Sequence, residues 1–113
     1  MIRNLGAKKL SKTGSHRRAM WSNMASSLLL HEHVETTLTK AKQLTRVAER
    51  VIADAKNGRH VEVRRVIKDK NVYKKVFASL VPRYKERAGG FTRVLKLGQR
   101  KGDAAEVALV KLV

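Results

Sequence analysis

A net charge of +17 on 113 residues limits what this chain can fold into, because like charges crowded on a small domain oppose the compact state. The surplus comes from 26 lysines and arginines against 9 aspartates and glutamates, and exceeds the net charge of about 2–8 that solubility asks for. An anionic partner removes the conflict. A nucleic acid is the first candidate and an acidic membrane surface the second.

The charge is uneven. Residues 1–31 carry six basic side chains and no acid, residues 32–70 ten and six, residues 71–102 nine and one, and residues 103–113 one and two. Both flanks are strongly basic and the middle is mixed. At 42% hydrophobic residues the chain can still form one modest core. Its aromatic residues are few (Trp21, Tyr73, Phe77, Tyr84 and Phe91), so that core is expected to be aliphatic.

Several chemistries are excluded. Without cysteine there are no disulfides, thiol nucleophiles or thiolate metal sites. His16, His31, His33 and His60 match no zinc spacing, and no metal or cofactor is expected. The carboxylates are scattered among cations without a catalytic pair, and Gly98–Gly102 lacks the lysine and hydroxyl of a phosphate-cradling loop. The chain therefore does not read as an enzyme, and no small-molecule substrate is expected. No apolar run approaches the ~18 residues of a membrane span and the start has no signal-peptide core, so a cytoplasmic protein is expected.

Residues 1–14 show neither helical nor strand periodicity and read as a basic arm, disordered until a partner orders it. Residues 15–113 read as one RNA-binding domain. Ser15 suits a helix cap, and Met20, Trp21, Met24, Ala25 and Leu28 then share one face of a helix reaching about Leu30. Residues 33–38 alternate as a short strand, with Val34, Thr36 and Leu38 on one side. Thr39 is the expected cap of the clearest helix, with Ala41, Leu44, Val47, Ala48, Val51, Ile52 and Ala55 inward and Asn57-Gly58 as its stop. Two shorter helices follow over 60–69 and 71–81, the second ended or broken by Pro82. Phe91–Leu97 and Ala105–Val113 pair as a hairpin around a 98–103 loop. The expected fold is α/β of the α+β type, in two layers, with helices on one face of a small sheet. Its order is helix, strand, three helices, two strands.

Candidate RNA contacts follow from cations placed where backbone or helix ends can meet phosphate. In the arm these are Arg3, Lys8, Lys9 and Lys12. Ser15, His16, Arg17 and Arg18 put cations at a helix N-terminus, where they oppose the dipole unless a phosphate joins them. Lys40, Lys42 and Arg46 belong to the second helix, where Lys42, Arg46 and Arg50 recur every four residues on an outward face. Arg83, Arg87, Gly89, Gly90, Arg93 and Lys96 surround a glycine pair that allows close approach of backbone. Arg100 and Lys101 sit at the hairpin tip. The aromatic residues occupy apolar positions, so recognition by phosphate and shape is favoured over stacking on bases.

These residues also carry a family resemblance. Val34-Glu35-Thr36-Thr37-Leu38-Thr39-Lys40-Ala41-Lys42, Ser15-His16-Arg17, Asn23-Met24-Ala25 and Arg87-Ala88-Gly89-Gly90-Phe91-Thr92-Arg93 resemble the bacterial large-subunit ribosomal protein seventeen family. The likeness covers nearly everything after residue 9. The start, Met1-Ile2-Arg3-Asn4-Leu5-Gly6, departs from the more basic Met-Arg-His opening common in that family. The resemblance implies a structural, rRNA-binding constituent of the large subunit, bound to its large RNA near the polypeptide exit tunnel. It implies ribosomal proteins twenty-two and thirty-two as neighbours, and a bacterial or organellar ribosome as the setting. A nucleoid-type DNA-binding module and an RNA-modifying enzyme are the competing readings. The first lacks a dimer seam and the second a catalytic set.

Overall fold

A computed structural model describes residues 14–113, so the expected contacts Arg3, Lys8, Lys9 and Lys12 lie outside the described residues. The elements are α1 (Gly14–His31), β1 (His33–Thr37), α2 (Leu38–Lys56) and α3 (His60–Val66). A fourth helical run then combines α4 (Lys70–Lys75), a π-helical turn (Val76–Leu80) and α5 (Val81–Arg83). Strands β2 (Thr92–Gln99) and β3 (Glu106–Leu112) close the chain. This is the expected α+β order.

The strands form one antiparallel sheet in the order β1-β3-β2. The last strand therefore lies in the middle and pairs with both others, and Val34, Val110 and Val94 line up across the three. Ala108, Val110 and Leu112 are buried on one side, while Leu95 is 40% exposed on the other, so the helices cover a single face. The inward stripe of α2 falls where its spacing puts it. Ala41, Leu44, Ala48, Val51, Ile52 and Ala55 are buried, and Val47 packs at the margin of the core. Ala25, Leu28 and Leu29 of α1 join them in one core with Val63, Ile67, Val72, Val76 and Leu80. Phe91 and Tyr84, with ring centroids 5.1 Å apart, plug the end of the core before β2.

The element ends correct the sequence reading in several places. Helix α1 begins at Gly14, so Ser15 lies inside its first turn and is not its cap. Helix α2 begins at Leu38 with Thr37, not Thr39, at its cap; the strand runs straight into the helix, and a residue paired in the sheet takes that position. Leu38 accordingly leaves the strand. Helix α3 stops at Val66 because Asp69 is committed to the next helix. Its Oδ1 accepts from the backbone N–H of Asn71 at 2.7 Å and of Val72 at 3.3 Å, which requires extended backbone just before α4. Pro82 does not end the fourth run. The Val81 N–H bonds the Val76 carbonyl, five residues back, and this widened turn gives the ring room where a regular α-turn would meet it with a carbonyl. The helix then continues to Arg83. In β2 the chain stays paired through Gly98 and Gln99, read from sequence as loop. A bulge between Lys96 and Gly98 absorbs the extra residue, and Gly98 has φ +116°, open only to glycine.

Leu44 is fully buried at the centre of the α2 stripe. Leu44→Ala is expected to cost about 2–5 kcal/mol and Val51→Ala somewhat less, read by urea unfolding. Unchanged unfolding midpoints in both variants would show that the core is not built on this helix.

Candidate nucleic-acid interface

The basic side chains fall into two groups, those tied inside the fold and those left to the surface. Arg83 belongs to the first. Its guanidinium bonds the Glu32 carboxylate and, through Nη2 at 3.0 Å, the Val113 carbonyl, which also accepts the Tyr84 hydroxyl at 2.8 Å. Lys75 meets the other Glu32 oxygen at 3.0 Å. The hydrogen bonds from Arg83 and then Lys75 hold the Glu32 carboxyl below its ordinary range, and Arg83 is raised in return. Burial pushes the Tyr84 hydroxyl up. Arg100 likewise turns back on its own hairpin, gripping both oxygens of Asp103, while Asp103 Oδ1 accepts from the Ala105 N–H at 3.1 Å. Those contacts, led by Arg100, lower Asp103 to about 2. Arg87 folds its loop from within, its Nε reaching the Gly89 and Gly90 carbonyls at 3.2 Å each.

The second group is larger. Among the described lysines and arginines, ion pairs engage only Arg59, Arg65, Lys75, Arg83 and Arg100. Lys42, Arg93, Lys96 and Lys101 are exposed and in none of these pairs, and Lys40 is half-buried. Gly90, with φ +65°, and Gly89 both face open space, where an added Cβ would meet nothing within 4 Å. The glycine loop can therefore admit a close approach from outside. At the start of α1, Arg17 Nη2 and Arg18 Nη1 lie 3.7 and 3.4 Å from where a Gly14 Cβ would stand, so both guanidinium groups fold back over the first turn. Arg17 Nε is buried there without a hydrogen-bond partner.

Packing brings some of these cations together. A half-open cleft of about 760 Å³ runs between α1, α2 and α3. Arg18 lines it from α1, Arg46 and Arg50 from α2, and Arg65 from α3, around Trp21. Arg18 and Arg46 are expected contacts that meet here; Arg50 and Arg65 were not among them. A second cleft of about 540 Å³, wholly missed from sequence, gathers Arg64, Lys68, Lys70 and Lys74 beside Tyr73, with no carboxylate in its lining. Its signal was the density of cations over residues 59–75. The expected contacts of the glycine loop and of the hairpin line neither cleft, so the candidate interface is spread over the surface. His60 stacks on Phe77 at 4.3 Å and meets the Tyr73 hydroxyl through Nδ1 at 2.6 Å. Among the described residues no three His, Cys, Asp or Glu side chains come together as a metal site, and no helix is long and apolar enough to cross a membrane.

Comparison with known proteins adds to this geometry. A family described as Ribosomal protein L17 matches residues 20–113. The large ribosomal subunit protein bL17 of Elusimicrobium minutum (strain Pei191) is 56% identical over 113 residues, spanning 100% of this chain and 99% of that protein. That of Halothermothrix orenii (strain H 168) is 50% identical over 109 residues, 94% of this chain and 96% of the other. That of Trichlorobacter lovleyi is 47% identical over 116 residues, 100% and 94%.

The Glu32 cluster makes a pH prediction. A depressed folded-state pKa adds stability above the unfolded value, near 4.5, and that stability is lost as pH falls through the lowered one. Glu32→Gln is expected to lower stability by about 1–2 kcal/mol at neutral pH, the screening of a 38% exposed carboxylate included. Thermal melts should show the gap closing in acid. A gap that persists undiminished below the lowered pKa would contradict the ion-pair account.

Proposed function

The chain belongs to the Ribosomal protein L17 family, structural ribosomal proteins and not enzymes, and we propose that it serves by binding large-subunit ribosomal RNA through fixed cations and helix ends. The observation that carries this reading is the cleft between α1, α2 and α3. Helices α1 and α2, held by a common core, present Arg18, Arg46 and Arg50 to solvent, and none of these arginines has a carboxylate partner among the described residues. The fixed helix backbones place these cations where phosphates can reach them, and each contact releases counterions from the RNA. Arg17, with its unpartnered Nε, fits the same role at the start of α1.

The interface proposed extends to Lys42, to the glycine loop with Arg93 and Lys96, and to Lys101. It also takes in the basic residues 1–14, read as an RNA-contacting arm that precedes a single domain over 15–113. For Arg83 and Arg100 a contact would compete with Glu32 and Asp103, so their part in binding is secondary. The site proposed in the cell is the large subunit of the cytoplasmic ribosome, near the polypeptide exit tunnel, with ribosomal proteins twenty-two and thirty-two as neighbours. Family membership supports that setting; the particular neighbours rest on the resemblance alone.

The test is binding to isolated large-subunit RNA over a range of salt, beside co-sedimentation with large subunits in high salt. If about six phosphates are neutralised, the slope of log affinity against log salt is expected at roughly −4 to −5, given ~0.7–0.9 per contact. A slope near zero, or failure to co-sediment, would overturn the proposal.

A further inference from the structure

The cleft between α1, α2 and α3 has a floor as well as a rim, and the two differ in chemistry. Trp21, Val47 and Val66 are half-buried and pack against the core, yet all three line the cleft. A row of arginines surrounds that apolar floor. Phosphates alone would satisfy the arginines and leave the floor wet. A ligand that offers both a flat apolar face and an anion fits both parts. A nucleotide does so, and in duplex RNA its base is stacked away inside the helix.

We propose that this cleft takes an unpaired nucleotide of RNA, its base stacked on Trp21 and its flanking phosphates held by Arg18, Arg46 and Arg50. The inference rests on the RNA-binding reading and adds a base-dependent contact to it. The charges give the nucleotide a direction. Arg65 is tied to Glu62 at 3.2 Å within α3, and Asp54, one turn after Arg50 on α2, to Arg59 at 3.6 Å, so both carboxylates of the cleft are already paired with arginines other than Arg18, Arg46 and Arg50. The phosphates keep to the side of Arg18, Arg46 and Arg50. Asp54 and Glu62 face the part of the nucleotide that donates hydrogen bonds, a ribose hydroxyl or an exocyclic amine. The cleft volume of about 760 Å³ lies within the range that holds small organic ligands.

Trp21 is the only tryptophan of the chain, so its fluorescence reports this cleft directly. The experiment titrates the full chain with short single-stranded oligoadenylate, with an abasic oligomer of the same ribose-phosphate backbone, and with duplex RNA of equal length. Oligoadenylate is expected to quench Trp21 and to bind roughly 5- to 150-fold more tightly than the abasic oligomer, the range of one stacked base. Duplex RNA is expected to leave the emission unchanged. By fluorescence-independent affinity measurement, Trp21→Phe should retain part of the base-dependent gain and Trp21→Leu should lose it. Equal binding of the oligoadenylate and abasic oligomers, or binding without quenching, would overturn the stacking site. Quenching by large-subunit proteins without RNA, and none by oligoadenylate, would give the cleft to a protein partner and overturn it too. The salt slope on large-subunit RNA is measured separately, so loss of the stacking site leaves the broader reading to stand or fall by itself.

Discussion

Glu32 holds three parts of the molecule in one place. It follows α1 at φ +68°, a left-handed conformation that costs a non-glycine residue about 1–2 kcal/mol. In that conformation its carbonyl accepts the Leu112 N–H at 2.9 Å, which joins the end of α1 to the central strand. Its carboxylate meanwhile draws in Lys75 and Arg83 from the fourth helical run. Arg83 and Tyr84 pass the connection on to the Val113 carbonyl. The backbone strain is tolerable because these bonds form together, each positioning the donors of the next.

The same economy governs other acids. Glu49 accepts the Phe91 N–H at 3.0 Å and the Thr92 hydroxyl at 3.2 Å, fixing the entry to β2 against α2. Asp69 caps α4 and Asp103 closes the hairpin turn. Four of the nine acids are committed to such tasks, against 26 lysines and arginines. The charge excess is set by composition, and the placement of the acids decides which cations are left without a partner. That placement leaves Arg18, Arg46 and Arg50 unpaired on rigid helices, and that is the state a polyanion requires.

Much of this was legible in the sequence. The α2 stripe could be read residue by residue because a 3.6-residue period over 19 residues leaves little ambiguity, and the 92–112 hairpin because strand alternation and glycines agree. Helix ends were less legible. Ser15 and Thr39 are good caps in isolation, but α1 begins a residue earlier and the β1–α2 junction takes Thr37. Local pattern says only that Pro82 breaks or ends the helix; that a wider turn ahead of it carries the helix on to Arg83 depends on tertiary context. The candidate interface was legible as a set of cations and not as a place. Periodicity puts Arg18, Arg46 and Arg65 on outward faces, but only the packing of α1, α2 and α3 decides that those faces adjoin. Nor could local pattern separate Arg83 from Arg46, since the partner of Arg83 lies 51 residues away.

The division between tied and available arginines is the central claim, and chemical reactivity tests it most directly. The chain, free and bound to large-subunit RNA, is treated with an arginine-selective dicarbonyl reagent, and each site is followed by mass spectrometry. Arg18, Arg46 and Arg50 are expected to react in the free protein and to be protected by RNA, while Arg83 stays slow in both states. Equal rates at Arg18, Arg46 and Arg50 with and without bound RNA would contradict the account.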